Sequence, residues 1–198
     1  MTPEQTEAAQ AVHFFVWSGL YPPETIADGL REGWQTADGE DTLDPDWLAA
    51  QVATADAAYR AAVASWPETT DSDRLTRAFA RLTEAGIVAL ENAGYTSTDG
   101  RGAVAAALAA RPADAAPARG YTFYHQQDAE HALDGHGLYL AYGALTDQNG
   151  DAPQDTEAVG RAVVEALAAE GFVVDWNGSA KARLRLPGFA WKRRRDAA

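Results

Sequence analysis

The stretch that decides the fold runs from Gly120 to Gly143 and reads GYTFYHQQDAEHALDGHGLYLAYG. The aromatic and β-branched residues after Gly120 predict a strand. The polar run from His125 to Asp128 ends that strand, and Ala129 to Leu133 predict a short helix. A glycine-flanked turn then leads to a second aromatic strand. Polar residues between a buried strand and a helix are a common place for a site in mixed α/β proteins, so this stretch predicts one.

The chain before this stretch is predicted to be mostly helical up to residue 85. Prolines or capping residues begin each helical segment, and apolar residues follow at helical spacing. Ile87 to Leu90 predict a short buried strand, residues 92–102 a polar loop, and residues 103–110 a short helix. Residues 112–117 are predicted to be a linker and residues 146–155 a polar loop.

The chain after this stretch begins with a predicted amphipathic helix from Thr156 to Glu170. A hairpin is then predicted, with a three-residue loop from Asn177 to Ser179. That register pairs Phe172 with Leu184 and Asp175 with Lys181, which keeps one face apolar and sets opposite charges across from each other.

These elements predict an α+β or α/β fold in a single domain, residues 1–198. A helical N-terminal half leads into a mixed or antiparallel sheet of about five strands covered by helices. The sheet would be built from a strand–helix–strand–helix–hairpin order over residues 86–195.

Composition and charge narrow the classes of function. The 198 residues include no cysteine, which excludes disulfides, thiolate zinc sites and a cysteine nucleophile. A net charge of −13 disfavours nucleic acid and anionic membranes as partners. No apolar run reaches the about 20 residues that span a bilayer, so the predicted location is the cytoplasm.

The charge is unevenly distributed along the chain. Residues 1–60 hold eleven acidic and two basic residues, whereas residues 181–195 hold seven basic and no acidic ones. Either the basic end is neutralised by an acidic face of the same molecule, or it is a docking patch for an anionic partner.

The candidate site residues are His125 and Asp128, with His131 in a His-x-x-Asp-x-x-His spacing. Three hypotheses fit this pattern. His125 and Asp128 could form a general base oriented by a carboxylate, or with His131 they could be weak metal ligands. In the third, Asp128 caps the helix and Gln126 and Gln127 satisfy backbone groups near the turn.

Five residues are candidate binding residues, namely Asp71, Arg74, Gln126, Gln127 and Trp176. Asp71 and Arg74 open a predicted helix and would form a compound site if either approached His125, and Trp176 could line a pocket. No Gly-x-Ser-x-Gly, phosphate-binding loop or dinucleotide fingerprint occurs, and Gly94, Gly100 and Gly102 are predicted to lack a strand-to-helix context. No cofactor is predicted.

Three stretches resemble an uncharacterised bacterial family of unknown function. They are residues 66–89, which contain Thr-Asp-Ser-Asp-Arg-Leu, residues 120–128, which contain Tyr-Thr-Phe-Tyr-His-Gln-Gln-Asp, and residues 171–191, which contain Trp-Asn-Gly-Ser. Some members carry cysteines in the loop after the Ile-Val-Ala strand, but residues 92–100 hold none here. The resemblance implies a fold and no activity.

Two functions remain open. The favoured one is a small acidic binding or regulatory module that contacts a protein, preferably a basic one. The alternative is a hydrolase-type or metal-assisted enzyme that uses His125 and Asp128. A concave pocket containing both side chains would favour the enzyme, and backbone hydrogen bonds to both would favour the module.

Overall fold

The computed structural model describes residues 1–112, 117–145 and 153–195. Two compact units divide these residues. The first is Met1–Thr70 together with the C-terminal residues from Lys192, and the second is Asp71–Trp191. The predicted linker 112–117 and the predicted loop 146–155 lie largely outside the described residues.

The first unit is helical, as predicted. Its helices are α1 (Pro3–Trp17), α2 (Pro23–Gly33) and α3 (Pro45–Val63), and each begins with a proline whose missing N–H costs nothing in the first turn. Thr2 and Asp44 cap α1 and α3 with their side-chain oxygens. The apolar faces of the three helices form a core of Val12, Val16, Ile26, Leu30, Leu48, Val52 and Tyr59.

The basic C-terminal residues lie against this acidic helical unit. The Arg195 guanidinium binds the Asp56 carboxylate and donates to the carbonyl of Val16 at 3.0 Å. It also lies over the ring of Tyr59, 4.1 Å from the centroid. The Tyr59 hydroxyl donates to the carbonyl of Arg193 at 2.7 Å. This ion pair joins one residue of the basic C-terminal end to an acidic residue of the same molecule.

The second unit combines helices with a mixed sheet. Its elements in chain order are α4 (Asp71–Glu84), β1 (Ile87–Leu90), α5 (Ser97–Ala109), β2 (Gly120–Phe123), α6 (Gln126–Leu133), β3 (Leu138–Ala144), α7 (Pro153–Ala169) and β4 (Leu184–Leu186). The strand order is β1-β2-β3-β4. β1 and β2 are parallel, and the other two pairs are antiparallel.

Helices cover this sheet. α4 packs against β1 and α7, α7 packs against β3, and α5 and α6 pack against β1 and β3 respectively. The predicted α+β class with a mixed sheet is confirmed. The sheet has four strands among the described residues rather than about five.

The missing strand belongs to the predicted C-terminal hairpin, whose register was wrong. Asp175 pairs with Arg185 in an isolated bridge, so the connecting loop is much longer than three residues. Phe172 stacks on Phe189 instead of pairing with Leu184. Side-chain contacts of Trp176 hold this loop. The Trp176 indole donates to the Tyr142 hydroxyl at 2.9 Å. The indole also packs against Gly160, where an added Cβ would lie 2.8 Å from the Trp176 ring.

The prediction for residues 92–102 was also wrong. Helix α5 begins at Ser97, six residues before the predicted start, and runs through Gly100 and Gly102. Thr96 and Asp99 form a capping box that begins this helix despite the two glycines, each of which costs about 1 kcal/mol in a helix interior. The glycines therefore do lie in a strand-to-helix segment.

No helix in the described ranges has both the length and the apolar character that crossing a membrane requires.

Candidate active site

The site lies at one edge of the sheet, where β1 and β2 end. Because these strands are parallel, the segments that follow them leave the sheet at the same edge. The segment after β1 leads to Ser97 at the start of α5, and the segment after β2 places His125 at the N-cap of α6. The topology thus brings two residues 28 positions apart to one place.

Backbone hydrogen bonds join these two segments. Ala93 donates to the carbonyl of Tyr124, and Gln126 donates to the carbonyl of Gly94, both at 2.9 Å. Gly100 lets α5 approach β2, since a Cβ at this position would lie 2.2 Å from the Phe123 ring. The position of Ser97 relative to His125 is therefore set by close backbone packing.

Three side chains form a line at this edge. The Ser97 hydroxyl is 3.1 Å from Nε2 of His125, within hydrogen-bonding distance. Nδ1 of His125 is 3.2 Å from Oδ2 of Asp128, although the two are not aligned as a hydrogen bond. His125 and Asp128 are both 4% exposed, and Ser97 is half-buried. Ser97 and His125 stand to each other as a nucleophile and a base would, whereas Asp128 lies beside the imidazole without the hydrogen bond to Nδ1 that would orient the ring.

Asp128 is held by two further donors. Its Oδ2 accepts from the backbone N–H of His125 at 3.1 Å and from the Arg183 guanidinium at 2.6 Å. The first contact is the helix cap considered in the sequence analysis. The second brings in a cation 55 positions away in sequence. Asp128 therefore caps α6 and also faces the imidazole.

The environment of His125 favours its neutral form. Burial lowers the pKa of this imidazole below its usual range, and the nearby Arg183 charge lowers it further. The carboxylates of Asp128 and Asp99 oppose this change without reversing it. The lowered pKa favours the uncharged ring, which can accept a proton from Ser97 in the tautomer that leaves Nε2 unprotonated.

A groove gives access to the serine. It has a volume of about 190 Å³, and its lining includes Ser97, the aromatic rings of Tyr121 and Phe123, and the cations Arg101, Lys181 and Arg183. A second groove of about 460 Å³ shares Tyr121, Tyr142, Ala180 and Lys181 with the first. His125 and Asp128 lie behind Ser97 and line neither groove, so the pocket containing both side chains that was expected of an enzyme is not formed by these two grooves. Their access to a ligand runs through the serine hydroxyl.

Asp71 and Arg74 are not part of this site. They form an ion pair with each other, and Asp71 accepts from the backbone N–H of Ala190 at 2.9 Å. Arg74 donates to the carbonyl of Glu170 at 2.9 Å and lies over the Phe172 ring. These contacts fasten α4 to the chain around residues 170–190. Neither side chain contacts His125 in the part of the chain that the structure describes, so the predicted compound site is not formed.

The remaining predicted residues surround the site. The backbone N–H groups of Gln126 and Gln127 donate to the carbonyls of Gly94 and Tyr95, and the Gln126 side chain donates to Glu130 at 2.9 Å. These glutamines fix the start of α6. Trp176 holds the long loop of residues 176–184 against the sheet through Tyr142. Both roles support the site from outside the groove.

His131 lies away from His125 and Asp128. Its ring is 4.9 Å from that of His136 and 5.5 Å from that of Tyr139, centroid to centroid. Within the described ranges, no three His, Asp or Glu side chains converge as metal ligands would. The three weak metal candidates therefore do not form one site.

Ser97 was not among the residues predicted from the sequence. The signal that points to it is Thr96-x-x-Asp99, a capping pair directly after a buried strand and a glycine-containing turn. Read as a helix start, this pair places Ser97 in a first turn at the sheet edge.

One comparison with known proteins gives a match. A family model described as Domain of unknown function (DUF6891) matches residues 2–195. No curated protein and no solved structure matches the chain. The match covers nearly the whole chain and confirms the resemblance to a family without known activity.

Proposed function

The chain belongs to the DUF6891 family, and we propose that it is a serine-dependent hydrolase acting on acyl esters. Ser97 would be the nucleophile and His125 the general base. The observation that carries this proposal is the 3.1 Å contact between the Ser97 hydroxyl and Nε2 of the buried His125. The groove in front of Ser97 supports it, because a nucleophile must be reachable by its substrate.

The reaction follows from these positions. Oγ of Ser97 attacks the ester carbonyl carbon while its proton passes to Nε2 of His125. The C–O bond to the leaving alcohol then breaks, and His125 returns the proton to that alcohol. A water molecule, deprotonated by the same nitrogen, attacks the acyl-serine. This step releases the carboxylic acid and restores the Ser97 hydroxyl.

Two groups would stabilise the charges that develop. Asp128 lies 3.2 Å from Nδ1, so its carboxylate favours the imidazolium formed during attack. Ser97 and Thr98 are in the first turn of α5, where backbone N–H groups have no helical acceptor and the helix dipole favours negative charge. These N–H groups are candidates to bind the oxyanion of the tetrahedral intermediate.

The test is covalent labelling with a fluorophosphonate probe, followed by peptide mass mapping. The proposal predicts one adduct per chain, located on Ser97. Ser97→Ala removes the adduct, and His125→Ala slows labelling by about 10²–10⁴-fold because the general base is lost. Ser65→Ala is the control, since it removes an exposed serine hydroxyl that lines neither groove.

The outcome of this labelling is decisive when folding is checked by circular dichroism. No adduct on the folded wild type, or equal adducts on wild type and Ser97→Ala, would refute the proposal. An unchanged labelling rate in folded His125→Ala would refute the role of the histidine alone.

The binding-module hypothesis stays a prediction. Within the helical unit, the carboxylate of Asp56 pairs with the chain's own Arg195. This part of the negative charge is therefore already neutralised and does not call for a basic partner. A cytoplasmic location and the exclusion of nucleic acid likewise remain predictions from composition.

A further inference from the structure

The charge of the groove in front of Ser97 is opposite to that of the whole chain. The chain has a net charge of −13, yet the ten residues lining this groove include three cations and no acid. Of these cations, Arg183 pairs with Asp128. A local reversal of charge in a concave site focuses the potential there and attracts anions.

The other two cations are free of carboxylates in the described residues. The Arg101 guanidinium donates to the neutral hydroxyl of Thr98 at 3.5 Å, and both Arg101 and Lys181 are exposed. Arg101 follows Ser97 by four residues on α5, so the two side chains lie on the same face of the helix. Lys181 comes from the loop on the other side, and its backbone is held by Ser179.

The rest of the lining suits an organic group. Tyr121 and Phe123 stack with their ring centroids 6.0 Å apart and form an aromatic wall. The second groove continues from this wall past Tyr142, whose hydroxyl is bound by Trp176 and donates to the carbonyl of Ser179. A ligand in both grooves would have an anionic group near Ser97 and an unsaturated or aromatic part along the tyrosines.

We infer that Arg101 and Lys181 form a binding site for an oxyanion, and that the substrate is an ester carrying a carboxylate or phosphate near the acyl carbon. The substrate part of this inference rests on the proposed hydrolase function. The anion site itself does not, because it depends on the two cations and the aromatic wall alone.

The first experiment measures binding without turnover. Benzoate, phenyl phosphate and the neutral benzyl alcohol are titrated into the Ser97→Ala protein, with and without Arg101→Ala plus Lys181→Ala, by NMR or calorimetry. We expect the double change to weaken binding of the anions at least about tenfold, because charged hydrogen bonds are lost. Comparing the affinities for benzoate and phenyl phosphate shows whether the site prefers a carboxylate or a phosphate.

The control is Arg161→Ala, which removes an exposed positive charge from α7 outside both grooves. It should leave anion binding within about twofold, since this exposed charge lines neither groove and is screened by salt. Equal affinity for benzyl alcohol and the anions, or equal losses in the Arg161 and double variants, would overturn the inference.

The second experiment separates the two proposals. Hydrolysis of mono-4-nitrophenyl succinate is compared with that of 4-nitrophenyl butyrate, which lacks the terminal carboxylate. We expect a higher kcat/KM for the succinate in the wild type and no preference in the double variant. Anion binding without hydrolysis of either ester would refute the hydrolase and keep the anion site. Hydrolysis that favours the butyrate would refute the anion site and keep the hydrolase.

Discussion

Arg195 offers a sharp test of how the C-terminal residues stabilise the helical unit. Arg195 and Arg60 both pair with Asp56, but the side chain of Arg195 is 14% exposed and that of Arg60 is 71% exposed. Arg195 also binds the Val16 carbonyl and the Tyr59 ring. The two arginines therefore form a matched pair that differs in burial.

The expected cost of Arg195→Ala follows from these contacts. Removing one partner of a buried pair costs about 3–5 kcal/mol. Asp56 keeps its contact with Arg60, so we expect the lower end, about 3 kcal/mol. For a chain of this length that corresponds to about 6–12 °C in Tm. Arg60→Ala should cost only about 0–1 kcal/mol, because its pair is open to water.

The assay is urea unfolding followed by circular dichroism and tryptophan fluorescence. Arg195→Lys should fall between wild type and Arg195→Ala, since lysine keeps the charge but cannot bind Asp56 and Val16 with a fork of two nitrogens. If Arg195→Ala and Arg60→Ala lower the free energy of unfolding equally, within about 0.5 kcal/mol, the buried contacts of Arg195 do not stabilise the helical unit.

Two other predictions concern the site. Gly100→Ala should destabilise the protein by about 1–3 kcal/mol and slow the labelling of Ser97, because the new Cβ would overlap the Phe123 ring. Gly102→Ala is the control, since a Cβ at this position would have no heavy atom within 4 Å. In the same urea titration it should stabilise the protein by up to about 1 kcal/mol. A destabilised Gly102→Ala protein or an unaffected Gly100→Ala protein would contradict this packing. The lowered pKa of His125 means that the unfolded chain takes up a proton before the folded one, so stability should fall as pH drops below about 6.5, and His125→Gln should weaken this fall. Parallel pH profiles of the two proteins would show that His125 is not the cause.

The elements that could be predicted are those specified by neighbouring residues. The proline starts of α1 to α3, the strand Ile87–Leu90 and the strand–helix–strand unit from Gly120 all follow from local pattern and capping. The convergence of His125 and Asp128 is local too, because the two residues stand three apart where β2 passes into α6.

What could not be predicted depends on distant contacts. The predicted register of the C-terminal hairpin was favourable for both charge pairing and burial. In the structure the Trp176 indole instead donates to the hydroxyl of Tyr142, 34 positions away, and this contact holds the loop in a different position. The start of α5 was predicted six residues too far along the chain, because Gly100 and Gly102 are unfavourable in a helix. Gly100 is nevertheless required there, since a larger side chain would overlap the Phe123 ring. The contact of Ser97 with His125 requires knowing that β1 and β2 are adjacent and parallel.

The pH dependence of Ser97 labelling tests the central claim most directly. The rate of fluorophosphonate labelling at Ser97 is measured from pH 4.5 to 8.5 by mass spectrometry. If a neutral His125 activates Ser97, the rate rises with one ionisation whose apparent pKa lies below about 6.5 and is then constant, and this rise is absent in His125→Gln. A rate that does not change with pH, or a rise that persists in His125→Gln, would contradict the account.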